Sequence, residues 1–375
     1  MPEQDRRITF FLVAGEASGD LHGAKLMEAL QSRHPDIRFI GHGGDRMSAQ
    51  GLKLLEHVDK LAIMGFSEVL KHLPYMFRVM KKTINTINAT IPDRIILIDY
   101  PGFNLRLAKK IHGSSIPITY FILPQLWAWK PGRIRYFQNY IDQALCIFPF
   151  EKTWFKNQGV KVKFVGHPFS EKMMIETKKT DFFKKHNLSE TNPLLTLLPG
   201  SRQQEISYHW PIFLNTIQIL KRAIPNLQVV VGKAPSVTLE PVPDYVKVES
   251  DEIRACMKYG TVALVASGTA TLEAAVLNIP LIVCYKLAPL SASITRRLNK
   301  APFVSIVNLI AERELVPEYI QENMQPARLA TALQTLIKPS KARNAMLTGF
   351  EEVRQKLGTP GVYKRAATEI LGRTI

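Results

Sequence analysis

Short runs of aliphatic, β-branched and aromatic residues alternate along this chain with longer stretches whose apolar residues recur at helical spacing. Such alternation predicts βαβ units wound about parallel sheets. In the first half the candidate strands are Ile8–Ala14, Ile37–Ile40, Arg94–Ile98, Pro117–Ile122, Ala144–Ile147 and Val162–Val165. Nearly all are apolar on both faces, as strands covered by helices on either side must be. After the charged, helix-prone segment Ser170–Asn187 a second series begins: Leu194–Leu198, Leu227–Val231, Val246–Val248, Val262–Val265 and Leu281–Cys284. The pattern therefore predicts an α/β chain with two doubly wound sheets in tandem and a boundary near Pro168. Two helical stretches, Pro326–Leu357 and Val362–Leu371, close the chain on either side of the breaker Gly358-Thr359-Pro360-Gly361.

Doubly wound sheets bind ligands beyond the carboxyl ends of their strands, so the chemistry belongs in the loops there. The first loop, Gly15-Glu16-Ala17-Ser18-Gly19-Asp20-Leu21-His22-Gly23, opens a helix for which Ser18 or Asp20 is the candidate cap. It lacks the G-x-G-x-x-G spacing of a dinucleotide site. It is either a plain strand-to-helix turn or, with Glu16 and His22, the polar rim of a site. The second loop, Ile98-Asp99-Tyr100-Pro101-Gly102-Phe103-Asn104, puts Asp99 at the end of an apolar strand. There it either caps the next helix or accepts a proton from a hydroxyl nucleophile. An unperturbed aspartate, with a pKa of about 3.9, is a poor base at neutral pH. The catalytic reading needs burial or a neighbouring carboxylate, and Glu16 is the candidate neighbour.

The third loop, Pro199-Gly200-Ser201-Arg202, aims backbone N–H groups and a guanidinium at one spot, which suits a phosphate oxygen. The fourth, Ala266-Ser267-Gly268-Thr269-Ala270-Thr271-Leu272-Glu273, starts a helix with small hydroxyl residues, an anion cradle that needs no P-loop lysine. Either alone is an ordinary helix start. Both in one domain favour a diphosphate.

Composition narrows the partners. At 375 residues the chain has room for two ordinary cores. Forty-nine Lys and Arg against 32 Asp and Glu leave a net charge of +17, which calls for nucleic acid, phosphorylated metabolites or an anionic membrane. No RNA- or DNA-binding module is recognisable. D-x-D, H-E-x-x-H, G-x-x-x-x-G-K-[ST] and G-x-S-x-G are all missing, so metal-held nucleotides, zinc or serine hydrolysis and ATP hydrolysis lack support. Cys146, Cys256 and Cys284, widely spaced and flanked by apolar residues, read as buried thiols of a reducing compartment. His42 and His167 fall in glycine-containing loops and are given supporting roles at most. No apolar run reaches the roughly 18 residues of a membrane span. Glu16 and Asp20 directly after Ile8–Ala14 argue against a secretory signal. The segment Met64–Lys82 carries more large apolar residues than one core-facing stripe needs, interleaved with basic ones and interrupted by Pro74. An interfacial membrane segment, an acyl-chain groove and a well-buried helix would all look like this, and the excess positive charge favours the membrane.

The motifs Ala14–Gly23, Met64-Gly65 with Glu68-Val69-Leu70, Ile98–Asn104, Pro124-Gln125-Leu126-Trp127-Ala128-Trp129, Val165-Gly166-His167-Pro168, Leu198–Arg202 and Ser267–Glu273 occur in that order. In them the chain resembles the lipid-A-disaccharide synthase family over nearly its whole length. The resemblance implies a GT-B glycosyltransferase: two Rossmann-like doubly wound domains facing a central cleft, with a C-terminal helix that returns to the first domain. Residues 1–168 would bind the acceptor and its lipid, 169–357 the UDP-sugar, and 358–375 would form the returning helix. The implied reaction moves 2,3-diacylglucosamine from its UDP derivative to the 6-hydroxyl of 2,3-diacylglucosamine 1-phosphate, with inversion, release of UDP, and no cofactor or metal.

Carried over by position, Asp99 matches the family's essential aspartate, with Glu16 beside it, and Asn308 an active-site asparagine. Arg202 matches its phosphate-binding arginine and Glu273 the ribose-binding acid of GT-B enzymes. Ser201, Ser267, Gly268, Thr269, Ala270 and Thr271 complete the expected UDP site. Acceptor or acyl-chain binding falls to Ser18, His22, Met64, Phe66, Val69, Leu70, Leu73, Met76 and Phe77. Two departures are visible: Leu123 stands where a serine commonly precedes Pro-Gln, and Val307 where a proline commonly precedes the asparagine. The implied partners are the two lipid sugars and an anionic membrane surface, with no nucleic acid, at the cytoplasmic face of the inner membrane; a homodimer is compatible. The competing readings are a peptidoglycan glycosyltransferase or a UDP-sugar epimerase of the same fold, and, from charge alone, a basic nucleic-acid-binding protein. The segment Met64–Met80 discriminates, because an epimerase needs no lipid groove.

Overall fold

Strands that are apolar on both faces must be covered on both faces, and the chain achieves this twice. The computed structural model describes residues 7–61, 66–288 and 301–374, with the backbone alone for 66–72. Two compact units result: Met1–Glu171 with Gly358–Ile375, and Lys172–Leu357.

The first unit holds β1 (Thr9–Val13), β2 (Arg38–Gly43), β3 (Leu52–His57), β4 (Arg94–Ile98), β5 (Ile118–Phe121), β6 (Gln143–Cys146) and β7 (Val162–Phe164). They form one parallel sheet in the order β3-β2-β1-β4-β5-β6-β7. The winding direction reverses between β1 and β4, so the loops after these strands flank the switch point. The helices are α1 (Ala17–Gln31), α2 (Asp45–Ala49), α3 (Val58–Leu61), α4 (Phe66–Thr90), α5 (Pro101–Ile111), α6 (Ile134–Tyr140) and α7 (Pro149–Asn157).

In the second unit β8 (Leu194–Leu198), β9 (Gln228–Gly232), β10 (Val246–Glu249), β11 (Val262–Ala266), β12 (Leu281–Tyr285) and β13 (Glu318–Ile320) form a parallel sheet ordered β10-β9-β8-β11-β12-β13. Its switch point lies between β8 and β11. The described helices are α8 (Lys179–Lys185), α9 (Gln203–Ala223), α10 (Ile253–Tyr259), α11 (Thr269–Val276), α12 (Ile306–Ala311), α13 (Pro326–Ile337) and α14 (Lys341–Lys356).

A last helix, α15 (Val362–Leu371), belongs to the first unit and packs on α1. Its amino end is held by Glu171, whose Oε1 accepts the N–H groups of Gly361 and Val362 at 2.8 Å each. Beyond its carboxyl end, the buried Arg94 donates to the Arg373 carbonyl and the Thr374 hydroxyl, and also to the Thr119 hydroxyl. A cation is favoured there because helix carbonyls end unpaired.

Several local expectations give way. β3 and β13 are edge strands whose mostly exposed or half-buried, partly charged residues lack the two-sided apolar signature that marks the others. Pro74 does not interrupt α4 but lies inside it at an exposed position. The stretch Pro326–Leu357 is two helices, because Pro339 cannot continue the first and the Ser340 hydroxyl caps the second by accepting the Arg343 N–H. His42 is not a loop residue. It lies in β2, fully buried, with Nε2 2.8 Å from the Thr83 hydroxyl, and burial lowers its pKa to about 3. The three cysteines are buried and unbridged.

Candidate functional site

At the switch point of the first unit the backbone leaves β4 in an unusual way. Asp99 and Tyr100 both take left-handed conformations, with φ of 45° and 49°, a region that non-glycine residues enter only when their surroundings hold them there. The Asp99 carbonyl accepts Asn104 Nδ2 at 2.7 Å and the Tyr120 hydroxyl at 2.5 Å. The Tyr100 hydroxyl donates to the Leu61 carbonyl at 2.9 Å. The Tyr100 ring lies where a side chain at residue 15 would begin: a Cβ on Gly15 would stand 2.2 Å from its Cδ1. Glycine is therefore required at 15, and the loops after β1 and β4 lock together.

This packing brings Glu16 within electrostatic reach of Asp99. Burial first, and the Glu16 charge second, raise the Asp99 pKa to about 6. Asp99 does not cap α5, whose N-cap is Tyr100 without a side-chain bond. Ser18 and Asp20 do not cap α1 either; Glu16 is its N-cap, also without one. Asp20 turns inward and accepts the N–H groups of Gly44, Arg46 and Met47, which fastens the start of α2. Ser18 and Glu16 are exposed. His22 is drawn into the α1–α15 seam, with Nδ1 2.8 Å from the Tyr363 hydroxyl. Burial, with Lys25 nearby, lowers its pKa to about 4, so it is neutral near pH 7.

One carboxyl in this region escaped sequence reasoning. Glu151 is completely buried; it accepts the Phe148 N–H at 3.2 Å and Trp127 Nε1–H at 3.4 Å. Burial raises its pKa to about 8. It thereby ties the loop after β5 to the start of α7, where the Trp127 and Phe150 rings meet edge to face at 5.0 Å. The sequence signal was available: a Glu at the third position of a helix that opens with Pro149 is a capping residue.

In the second unit the loops after β8, β10 and β11 line a cavity of about 710 Å³, within the usual range for a small-molecule site. Gly200, Ser201, Arg202, Ser267, Gly268, Thr269, Ala270 and Glu273 line it together. Neither α9 nor α11 has a side-chain cap, so first-turn N–H donors of both helices are left for an anion. The Arg202 guanidinium is exposed, 3.5 Å from Glu205.

Glu205 and His209 were not singled out from sequence, yet both shape this wall. Glu205 Oε2 accepts the Ser201 N–H at 3.1 Å. His209, fully buried, pairs Nδ1 with the Pro199 carbonyl at 2.7 Å, while its Nε2 accepts the Lys286 N–H at 3.0 Å. Arg202, Glu205 and His209 recur at three- and four-residue spacing, the only trace such a helix face leaves in sequence. Glu273 carries an ion pair with Arg254, Nε to Oε1 2.6 Å, and Arg254 also lines the cavity.

Two expected members are absent from the cavity wall. Thr271 is buried and spends its hydroxyl on the Gly268 carbonyl at 2.8 Å. Asn308 departs from the catalytic expectation: it is fully buried, Nδ2 donates to the Val316 carbonyl and to Glu318, and Oδ1 accepts the N–H groups of Leu315 and Val316, all at 2.8–2.9 Å. It fastens α12 to the segment that follows, Leu315–Glu318, and its amide has no group to spare.

On α4, Met76 packs against the core of the first unit, Leu73 is half-buried and Phe77 is 67% exposed. Met64 and the side chains of Phe66, Val69 and Leu70 lie outside the described residues. Among the described residues no helix is long and apolar enough to cross a membrane.

The family model described as lipid-A-disaccharide synthetase matches residues 10–368. The chain belongs to the lipid-A-disaccharide synthetase family. It is 38% identical over 370 residues to the lipid-A-disaccharide synthase of Myxococcus xanthus, covering 96% of each chain. It is 39% identical over 371 residues to that of Acidobacterium capsulatum, covering 94% of this chain and 92% of that one. Among solved structures, a calicheamicin glycosyltransferase aligns with a TM-score of 0.61 at 15% identity, over 98% of both chains. A putative UDP-N-acetylglucosamine 2-epimerase from Listeria monocytogenes aligns with a TM-score of 0.64 at 12% identity, over 98% of this chain and 95% of that one. At such identities the likeness is one of fold, the GT-B fold that this member of the synthetase family has. Membership excludes the peptidoglycan glycosyltransferase, epimerase and nucleic-acid-binding readings.

Proposed function

We propose that this chain, a hexosyltransferase of lipid A disaccharide synthesis, joins UDP-2,3-diacylglucosamine to 2,3-diacylglucosamine 1-phosphate with inversion, using Asp99 as the base. The donor's diphosphate belongs at the cavity of the second unit. Arg202 and the uncapped starts of α9 and α11 compensate the charge that builds there, and Glu273 receives the ribose hydroxyls. Asp99 takes the proton of the acceptor's 6-hydroxyl as its oxygen bonds to the anomeric carbon. The bond from that carbon to the diphosphate oxygen breaks, its electron pair leaves with UDP, and attack from the opposite face inverts the centre.

What carries this reading is the place of Asp99, at the end of β4 on the switch point and half-buried near Glu16: burial and that like charge raise its pKa to about 6, so that it is ionised near neutral pH yet basic enough to take up a proton. Pure protein incubated with both lipid sugars should release UDP and one tetraacyl disaccharide phosphate with a β linkage. Free diacylglucosamine and UDP in its place would mean that water, not the sugar hydroxyl, is the acceptor.

Both substrates carry fatty chains and phosphate, so the protein works at a lipid surface. The exposed Phe77 of α4 beside the basic Arg78, Lys81 and Lys82, with the net charge of +17, supports peripheral attachment to an anionic membrane, as at the cytoplasmic face of the inner membrane. Sedimentation with anionic vesicles should weaken as salt is raised; binding indifferent to salt and to vesicle charge would contradict it.

A further inference from the structure

A general base must be held where its hydroxyl is bound, and Asp99 sits on backbone that would not adopt its shape unaided. Two successive left-handed non-glycine residues, at φ 45° and 49°, relax in an unsupported loop. The turn leads into α5 without the help of a side-chain cap. The Asp99 N–H is held by the Phe121 carbonyl at 3.1 Å and Tyr100 by Leu61, and two further side chains converge on one atom, the Asp99 carbonyl oxygen. Asn104, fully buried on α5, reaches back with Nδ2 to that oxygen at 2.7 Å and passes the Ile98 and Val13 carbonyls at 3.3 and 3.4 Å. Tyr120, fully buried on β5, approaches from the neighbouring strand and donates its hydroxyl at 2.5 Å. Both lone pairs of the carbonyl are thus used, and its direction is fixed from two independent elements. Because carbonyl and side chain share one Cα, fixing the first fixes the direction in which the Cα–Cβ bond leaves the backbone, and so the place from which the carboxyl must reach.

We propose that Asn104 and Tyr120 are positioning residues of the reaction, a two-point clamp on the Asp99 carbonyl that keeps the carboxyl aimed for proton transfer. The clamp rests on Asp99 being the base. It differs from a purely structural role because the shortest bond of each side chain ends on the same strained residue. Losing either bond lets the turn relax, so that only a fraction of molecules presents the base correctly, and turnover falls by that fraction while the donor cavity in the second unit is untouched.

Tyr120→Phe removes one hydroxyl and keeps the ring in its contact with Phe137, so it tests the clamp even if Asn104→Ala does not fold. For Tyr120→Phe, kcat should fall about tenfold, the value of one well-made buried hydrogen bond, with KM for the UDP-sugar within about twofold of wild type. The amides of residues 99, 100 and 102–104 should exchange hydrogen faster while β1 and β5 stay protected. The acid limb of the kcat/KM profile should move below its wild-type position, because a loosened carboxyl gains water. Asn104→Ala should act in the same direction, and the double variant should lose less than the product of the two singles, since both bonds end on one oxygen. Unchanged kcat and unchanged exchange at 99–104 in Tyr120→Phe would overturn the clamp. Asp99→Asn, measured alongside, separates the two claims. An active Asp99→Asn removes the base, whereas an inactive one beside a fully active Tyr120→Phe removes only the clamp.

Discussion

Replacing Asp99 by asparagine should make the protein more stable and nearly inactive at once. Burial and the Glu16 charge lift the carboxyl from its usual 3.8 to about 6. At about 1.4 kcal/mol per pH unit, that disfavours the folded, ionised form by about 3 kcal/mol. The sign follows from linkage. The unfolded chain ionises near 3.8 and the folded one near 6, so the cost is present in full above pH 6 and is relieved as pH falls toward 4. Asp99 is only half-buried, and water screens part of the effect, which leaves about 1–2 kcal/mol. Asparagine keeps the shape and an oxygen for the Tyr100 N–H, without the charge. Denaturant or thermal unfolding near pH 8 should therefore show a gain of about 1–2 kcal/mol, roughly 2–8 °C for a domain of this size. The gain should vanish near pH 4. Turnover should fall about 10²- to 10⁴-fold. A variant no more stable than wild type at pH 8 would refute the electrostatic reasoning, and one that keeps its turnover would refute the base.

Gly15→Ala would drive a Cβ to 2.2 Å from the Tyr100 ring and displace the Asp99 turn; kcat should drop at least about tenfold while UDP affinity, measured by calorimetry, stays level. Arg202→Ala should weaken UDP binding about tenfold, the worth of one charge-assisted bond; unchanged affinity would place the diphosphate elsewhere. Arg254→Ala frees Glu273 from its ion pair, so affinity for uridine should fall several-fold, with little effect on inorganic diphosphate.

The two sheets were legible because parallel strands buried on both faces leave unbroken apolar runs such as Ile95–Leu97, and the breaks after them marked the loops. Of the edge strands, β3 and β13 were not, since Lys53, Leu54 and Glu318 are exposed or half-buried and break the apolar run. Among the proposed site residues, Asp99 and Arg202 could be singled out because each lies in the loop right after a strand, whereas Glu273 entered only through the family resemblance. Asn308 shows the limit: an amide looks the same in sequence whether it faces a substrate or nearby backbone, and only the structure reveals the four bonds it makes. Asp20 misled, because a carboxylate in a helix's first turn can cap another helix across space. Arg254 and His209 left little trace, for their work depends on partners elsewhere in the chain, Glu273 and Lys286, and of Glu151 only the local cap was legible, not its bond to Trp127.

The pH dependence of kcat/KM tests the central claim most directly. Wild type should lose activity tenfold per unit below about pH 6, the free-enzyme pKa of Asp99. Glu16→Gln, which removes the like charge but not the burial, should shift that limb part of the way toward 3.8 and no further. A limb already near pH 4 in the wild type, or one that Glu16→Gln leaves in place, would contradict a base tuned by burial and its carboxylate neighbour.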